Sequence, residues 1–260
     1  MNKILFLILG SSLIFLSCEK VITVDLNDSD PQIVIEGTVN NQAGPYEVRV
    51  SKTRNFNENI PFYGISGALV IISDNSGQVD TLTEIFTGIY KTTSLTGVSG
   101  NIYYLKVDVE NKSYFAASFL PYSVNFDSLY TETSVFFGET QTYAVPKYRD
   151  TPGIRNFYRF VEFVNNNRTN RIFIQNDINR DGSILTQPLR SEDDILAGDT
   201  VTIEMMCIDE PVYNYFLSLL NNVEGGLNEG TPANPLTNIA GSKLGYFSAY
   251  SIQTKSIIVR

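Results

Sequence analysis

Asn156-Phe157-Tyr158-Arg159-Phe160-Val161-Glu162-Phe163 is the stretch from which the fold of this chain is read. At a side-chain period of two, Phe157, Arg159, Val161 and Phe163 share one face, while Tyr158, Phe160 and Glu162 share the other. Aromatic rings on both faces mark a strand covered on both sides, so a central one. Downstream, residues 171–175 and 200–208 read as further strands. Residues 211–223 form the one good helix: Pro211 stands at its start, Tyr213, Phe216, Leu217 and Leu220 follow at three-four spacing, and Gly225-Gly226 stops it. Residues 221–240 are loop-rich, alternation returns over 241–251, and Ile257-Ile258-Val259 is an apolar closing strand. Upstream, residues 124–130 and 141–148 are strands, with a loop at Asp150-Thr151-Pro152-Gly153.

The first half has the same rhythm. Ile33 and Ile35 share a face, and Tyr46-Glu47-Val48-Arg49-Val50 alternates. Residues 55–67 make a polar loop carrying Phe56, Phe62 and Tyr63, whose rings tuck back onto the sheet edge or meet a partner. Strands then recur at 68–73, 79–85, 102–109 and 113–120, with turns at Asp74-Asn75-Ser76-Gly77 and Glu110-Asn111-Lys112 between them. About seven short strands separated by turn residues predict an immunoglobulin-like or transthyretin-like β-sandwich over 32–120. A second, mostly-β domain with one helix is expected over 121–260.

Ahead of these strands, Lys3 precedes an apolar run from Ile4 to Leu16, interrupted only by Gly10, Ser11 and Ser12. That is the layout of a signal peptide over 1–17, and the run is short for a bilayer span. Leu16-Ser17-Cys18 looks like a bacterial lipobox, in which the Cys18 thiol is lipidated after cleavage. The alternative is a plain secreted protein whose apolar run happens to end near a cysteine. Residues 18–31, with Glu19, Asp25, Asp28 and Asp30, read as an acidic tether. These residues predict an exported, lipid-anchored protein, with its periplasmic or cell-surface face left open.

Composition narrows the chemistry. A net charge of −9 and no basic cluster argue against nucleic acid, whose phosphates need clustered Lys and Arg. The chain has no histidine, which removes Ser-His-Asp and Cys-His arrangements and any His-containing zinc site. Glu192, Asp193 and Asp194 could pair for glycoside hydrolysis, although an acidic chain always offers such pairs. Cys207, in an apolar strand, reads as a small buried hydrophobe. The expectation is a non-enzymatic protein.

The best local motif is Asp177-Ile178-Asn179-Arg180-Asp181-Gly182-Ser183. Asp177, Asn179, Asp181 and Ser183 place oxygen side chains at alternate positions with Gly182 at the sixth, like the first half of a calcium loop. Position twelve is Pro188 instead of a bidentate Glu. A polar turn between strands is the alternative, so the cofactor expectation is none, or calcium at this loop.

Asn234-Pro235-Leu236-Thr237-Asn238-Ile239-Ala240-Gly241-Ser242-Lys243-Leu244-Gly245-Tyr246-Phe247-Ser248-Ala249-Tyr250 is more particular than a turn and a strand require. With Cys18-Glu19, Gly67-Ala68-Leu69-Val70, Asp127-Ser128-Leu129, Phe157-Tyr158-Arg159 and Tyr213-Asn214-Tyr215-Phe216, it resembles the DUF4249 family of Bacteroidota lipoproteins. The resemblance implies an outer-membrane lipoprotein, no established enzymatic activity and a TonB-dependent receptor as partner, because such receptors are often encoded beside family members. It supplies no catalytic residues. The expected function is a binding or accessory component of a TonB-dependent transporter. The alternatives are an adhesion or structural envelope module, calcium-stabilised at the 177–183 loop, and a carboxylate-dependent hydrolase.

Overall fold

The chain is described by a computed structural model over residues 30–54, 62–136, 138–191, 195–224 and 234–260. Cys18 and its tether up to residue 29, the Glu192-Asp193-Asp194 run, Phe56 and Gly225-Gly226 lie outside the described residues.

The fold is mainly β with one helix. In the first half, β1 (Ile33–Asn40), β2 (Glu47–Lys52), β3 (Leu69–Asp74), β4 (Val79–Thr81), β5 (Thr83–Phe86), β6 (Ile89–Lys91), β7 (Ile102–Val109) and β8 (Lys112–Phe119) follow the alternation of apolar residues. In the second half come β9 (Asn125–Phe136), β10 (Glu139–Arg149), β11 (Phe157–Val164), β12 (Asn167–Arg168), β13 (Phe173–Asn176), β14 (Ile184–Thr186) and β15 (Thr200–Ile208). Helix α1 (Glu210–Glu224), β16 (Ile239–Ala240) and β17 (Leu244–Ile258) complete the chain.

Three sheets result. A nine-stranded sheet runs in the order β12-β11-β15-β17-β1-β2-β6-β5, with β13 also paired to β11. A five-stranded sheet, β16-β8-β7-β3-β4, packs on its β1 end, and a three-stranded sheet, β14-β10-β9, shares a core with its β11 end. The first core interleaves Ile35, Val48 and Val50 with Val70, Ile72, Leu105 and Val107, as two facing sheets require. The second joins Phe126, Leu129 and Tyr148 to Tyr158, Phe160, Met205 and Cys207.

The 15-residue strand β17 belongs to both cores. Its first half pairs in parallel with β1, from Val34 opposite Leu244 to Asn40 opposite Tyr250. Its second half pairs antiparallel with β15, from Cys207 opposite Ser251 to Thr200 opposite Ile258. The two separate strands expected at 241–251 and 257–259 are thus one strand. A parallel pairing joins residues about two hundred positions apart, and no local pattern announces it. The split expected after Leu120 divides the buried cores, apart from residues returned by β16 and β17, whereas the large sheet runs across it.

The quoted Asn234–Tyr250 segment builds this junction. Gly245 sits at φ 92°, and a Cβ there would stand 2.0 Å from the Ile35 carbonyl oxygen, so only glycine lets β17 approach β1. The Asn238 side chain imitates a neighbouring strand: its Nδ2 donates to the Phe247 carbonyl at 2.7 Å, and its Oδ1 accepts from the Phe247 N–H at 3.0 Å. Phe247 then points into the first core, while Tyr246 and Tyr250 point to the opposite face.

Strand β11 is central, flanked by β15 on one side and by β12 and β13 on the other. Tyr158 and Phe160 enter the second core, and Phe157 and Val161 pack under α1. The helix buries Val212, Tyr215 and Phe216, with Leu219 partly buried beside them. This face is rotated from the expected one: Tyr213 is only partly buried and Leu217 is exposed. Asp209 caps the helix, accepting from the Val212 N–H at 3.1 Å. Its other oxygen accepts from the Ser118 hydroxyl at 2.8 Å and the Phe119 N–H at 2.9 Å, which ties the helix start to β8.

Candidate functional site

Three regions carry chemistry, and the sequence motif marks the first. Asp177 and Asp181 do come together, joined by Asp150 from the end of β10, with one carboxylate oxygen of each within 4.8 Å of the others. Asn179, at φ 63°, lines the same shallow pocket. Ser183 is exposed, and its carbonyl accepts from the Asp150 N–H at 3.0 Å. Asp150 was missed because it stands 27 residues before Asp177, in the Asp150-Thr151-Pro152-Gly153 loop that reads as a turn.

The three carboxylates stitch two loops together. Asp150 accepts from the Gly182 N–H at 2.8 Å and from the Tyr158 hydroxyl. Asp177 accepts from the Asn156 N–H at 2.8 Å, and Asp181 accepts from the Gly153 N–H at 2.9 Å. Burial, with Asp150 alongside, pushes the Tyr158 phenol far above its ordinary value, so the proton stays on Tyr158 and Asp150 is the acceptor. Tyr148 stacks edge-on against Tyr158 at 4.7 Å, and its hydroxyl accepts from the Gln175 side-chain amide at 2.6 Å, extending the network into the second core. The arrangement fits a loop staple. A hard cation would have to share oxygens that already accept hydrogen bonds.

The second region lies between α1 and the sheet face that holds Arg159. Strand pairing brings Arg159 of β11, Glu204 and Met206 of β15, Tyr246, Ser248 and Tyr250 of β17 and Thr38 of β1 onto one face, since Arg159 lies opposite Met206 and Thr38 opposite Ser248. They line a cavity of about 240 Å³, roofed by Phe216. The Arg159 guanidinium stacks on the Phe216 ring at 4.2 Å, and its Nη1 lies 3.6 Å from the Met206 sulfur. Its Nε is buried without a hydrogen-bond partner. Burial pulls Arg159 below its ordinary value and pushes Glu204 above its own, each disfavouring charge in this enclosed space. Burial, with Glu36 and Tyr246 adding, also pushes Tyr215, which stacks on Tyr246, up to about 12. The sequence placed Arg159 on the face with Phe157 and Val161, but a lone arginine among aromatics gives no local sign of a cavity.

The third region is the outer face of the five-stranded sheet. Leu69, Val79, Ile102, Tyr104, Phe115 and Phe119 all face outward there, with Phe115 50% and Tyr104 43% exposed. Strand pairing places Ile102 opposite Phe119, while Lys106, opposite Phe115, pairs with Asp108, opposite Leu69, and so brings charge onto the same face. Of the expected loop aromatics, Phe62 and Tyr63 are exposed, while their backbone docks along β2 through the Lys52 N–H to Tyr63 carbonyl bond at 3.0 Å. Cys207 is a free, buried thiol whose pKa is raised by burial, as expected of a packing residue.

A comparison with curated proteins gives no match. A family model described as a domain of unknown function matches residues 19–256, nearly the whole chain after the leader-like run. The chain belongs to the DUF4249 family.

Proposed function

We propose that this chain is a Bacteroidota outer-membrane lipoprotein, anchored through Cys18, that acts without catalysis as the binding or accessory component of a TonB-dependent transporter. The observation that carries this reading is the apolar outer face of the five-stranded sheet. Several large apolar side chains exposed on one sheet face, such as Tyr104, Phe115 and Phe119, suit a surface that a partner covers. The lipobox-like Leu16-Ser17-Cys18 supports a partner in the same membrane. The compact unit begins at Pro31, thirteen residues after Cys18, and even a fully extended tether of that length reaches only about 45 Å. A body held that close to the lipid surface meets an integral receptor at high effective concentration.

The test is affinity purification of the tagged full-length protein from detergent-solubilised membranes, with mass spectrometry of both the bait and what accompanies it. A diacylated Cys18 and a co-purifying TonB-dependent receptor are expected, with recovery of the receptor reduced by Phe115→Asp. Recovery of no outer-membrane receptor overturns the reading.

A second reading, an adhesion or structural envelope module held by calcium, is favoured by the convergence of Asp150 on Asp177 and Asp181. Against it stand the hydrogen bonds those carboxylates already accept. A melting temperature lowered by EDTA would support it.

A further inference from the structure

Arg159 is partly exposed where it lines the cavity, but its Nε is shielded from water and has no acceptor. An arginine withdrawn from water is ordinarily matched by a carboxylate or by several carbonyl oxygens, because an unpaired buried charge is among the costliest things a fold can hold. Among the described residues Arg159 Nε is buried with no hydrogen-bond partner, and the polar contact of Nη1 is a thioether sulfur, which accepts weakly. Stacking on Phe216 at 4.2 Å stabilises the cation from its face but supplies nothing to its N–H edge. Glu204 lines the same cavity, yet makes no ion pair within 4.0 Å of Arg159 among the described residues. Burial raises its carboxyl above the ordinary value, while Arg168 and Arg159 act to lower it.

We propose that the cavity over Arg159 binds a small monocarboxylate with an apolar body, and that the Arg159 guanidinium is its anchor. The Arg159 guanidinium carbon lies 4.2 Å from the centre of the Phe216 ring, and a guanidinium is a planar fork whose geometry takes a carboxylate through two parallel N–H to oxygen bonds. Val161, Phe163, Met206 and Ile208 supply an apolar wall for the rest of the molecule. Thr38 and Ser248 add hydroxyls to the lining. The cavity, about 240 Å³, is smaller than the roughly 300–1,000 Å³ of sites for drug-sized ligands, so the body is short. Arg168 also lines the cavity, so inorganic phosphate is the competing anion that titration must separate from a carboxylate.

This inference rests on the chain being a binding module and names a ligand class for it; it does not depend on the receptor. The experiment therefore uses purified full-length protein in detergent, with no receptor present, so that its failure and a failure of co-purification are separate results. Hexanoate and phenylacetate are titrated calorimetrically, with hexanamide, phenylacetamide and inorganic phosphate as comparisons. Both carboxylates should bind saturably, each about tenfold or more tighter than its amide, the margin that a charge-assisted pair provides. Arg159→Met should remove that margin, and Arg159→Lys should restore part of it. Thr38→Phe, which fills the lining while leaving Arg159 in place, should abolish binding. Circular dichroism and thermal melting establish which variants fold; if Arg159→Met does not, the amide comparison and Thr38→Phe decide. Absence of saturable carboxylate binding, equal binding of acid and amide, tighter binding of phosphate, or undiminished binding by folded Arg159→Met overturns the proposal.

Discussion

Asp80, buried, and Arg159, partly exposed with a buried Nε, both bring charged groups out of bulk water, and their surroundings differ in kind. Asp80, 3% exposed, accepts from the backbone N–H groups of Thr93, Ser94 and Leu95 at 2.7 to 2.9 Å and from the hydroxyls of Thr93 and Ser94. Burial opposes its ionisation, but these donors outweigh it and hold the carboxyl below its ordinary value of 3.8. Arg159 has a ring to lie on and a thioether to touch, and its buried Nε has no acceptor. A saturated buried charge organises a fold. An unsaturated one beside a cavity is poised for something to arrive.

The largest expected effect lies on the saturated side. Asp80→Ala strands three backbone donors in the interior and should cost about 3 kcal/mol in urea unfolding. Because its folded pKa is depressed, the contribution of Asp80 is fully present above its unfolded value near pH 3.8 and is lost as pH falls through the lower folded value. The stability gap between the wild type and Asp80→Asn should therefore narrow on acidification below about pH 4. A gap independent of pH would mean that the carboxylate charge is not what the turn holds.

Without ligand, Arg159→Met should leave stability within about 1 kcal/mol of the wild type, or raise it, since the variant replaces a poorly compensated charge by apolar volume. A loss as large as that of Asp80→Ala would erase the contrast and make Arg159 a packing residue. The smallest effect is expected from EDTA, which should leave the melting temperature unchanged if Asp150, Asp177 and Asp181 serve as a staple. A fall of several degrees would place a cation among them and move the trio into the class of charges completed from outside.

The Asp177–Ser183 motif shows how far a local pattern reaches. Oxygen side chains at alternate positions were legible, and two of the carboxylates do converge. Asp150 was not, because it arrives from a different loop through contacts to Gly182 and Tyr158. Helix α1 repeats the lesson, since its existence follows from Pro211 and apolar spacing, while the buried face turned out to be Val212, Tyr215 and Phe216. Which side of an aromatic-rich helix faces inward is set by the sheet it lands on.

By itself the sequence determined what depends on neighbours a few residues away: the period-two strands, the turns at Asp74 and Glu110, the two-sided character of Asn156 to Phe163 and the burial of Cys207. Tertiary structure alone decided the parallel pairing of β1 with β17, the sharing of that strand by two cores and the assembly of Arg159, Glu204, Tyr246 and Thr38 around one cavity. The physical reason is range. Backbone sterics and side-chain alternation act between adjacent residues, whereas pairing of distant strands is selected by the core that only the closed chain can bury.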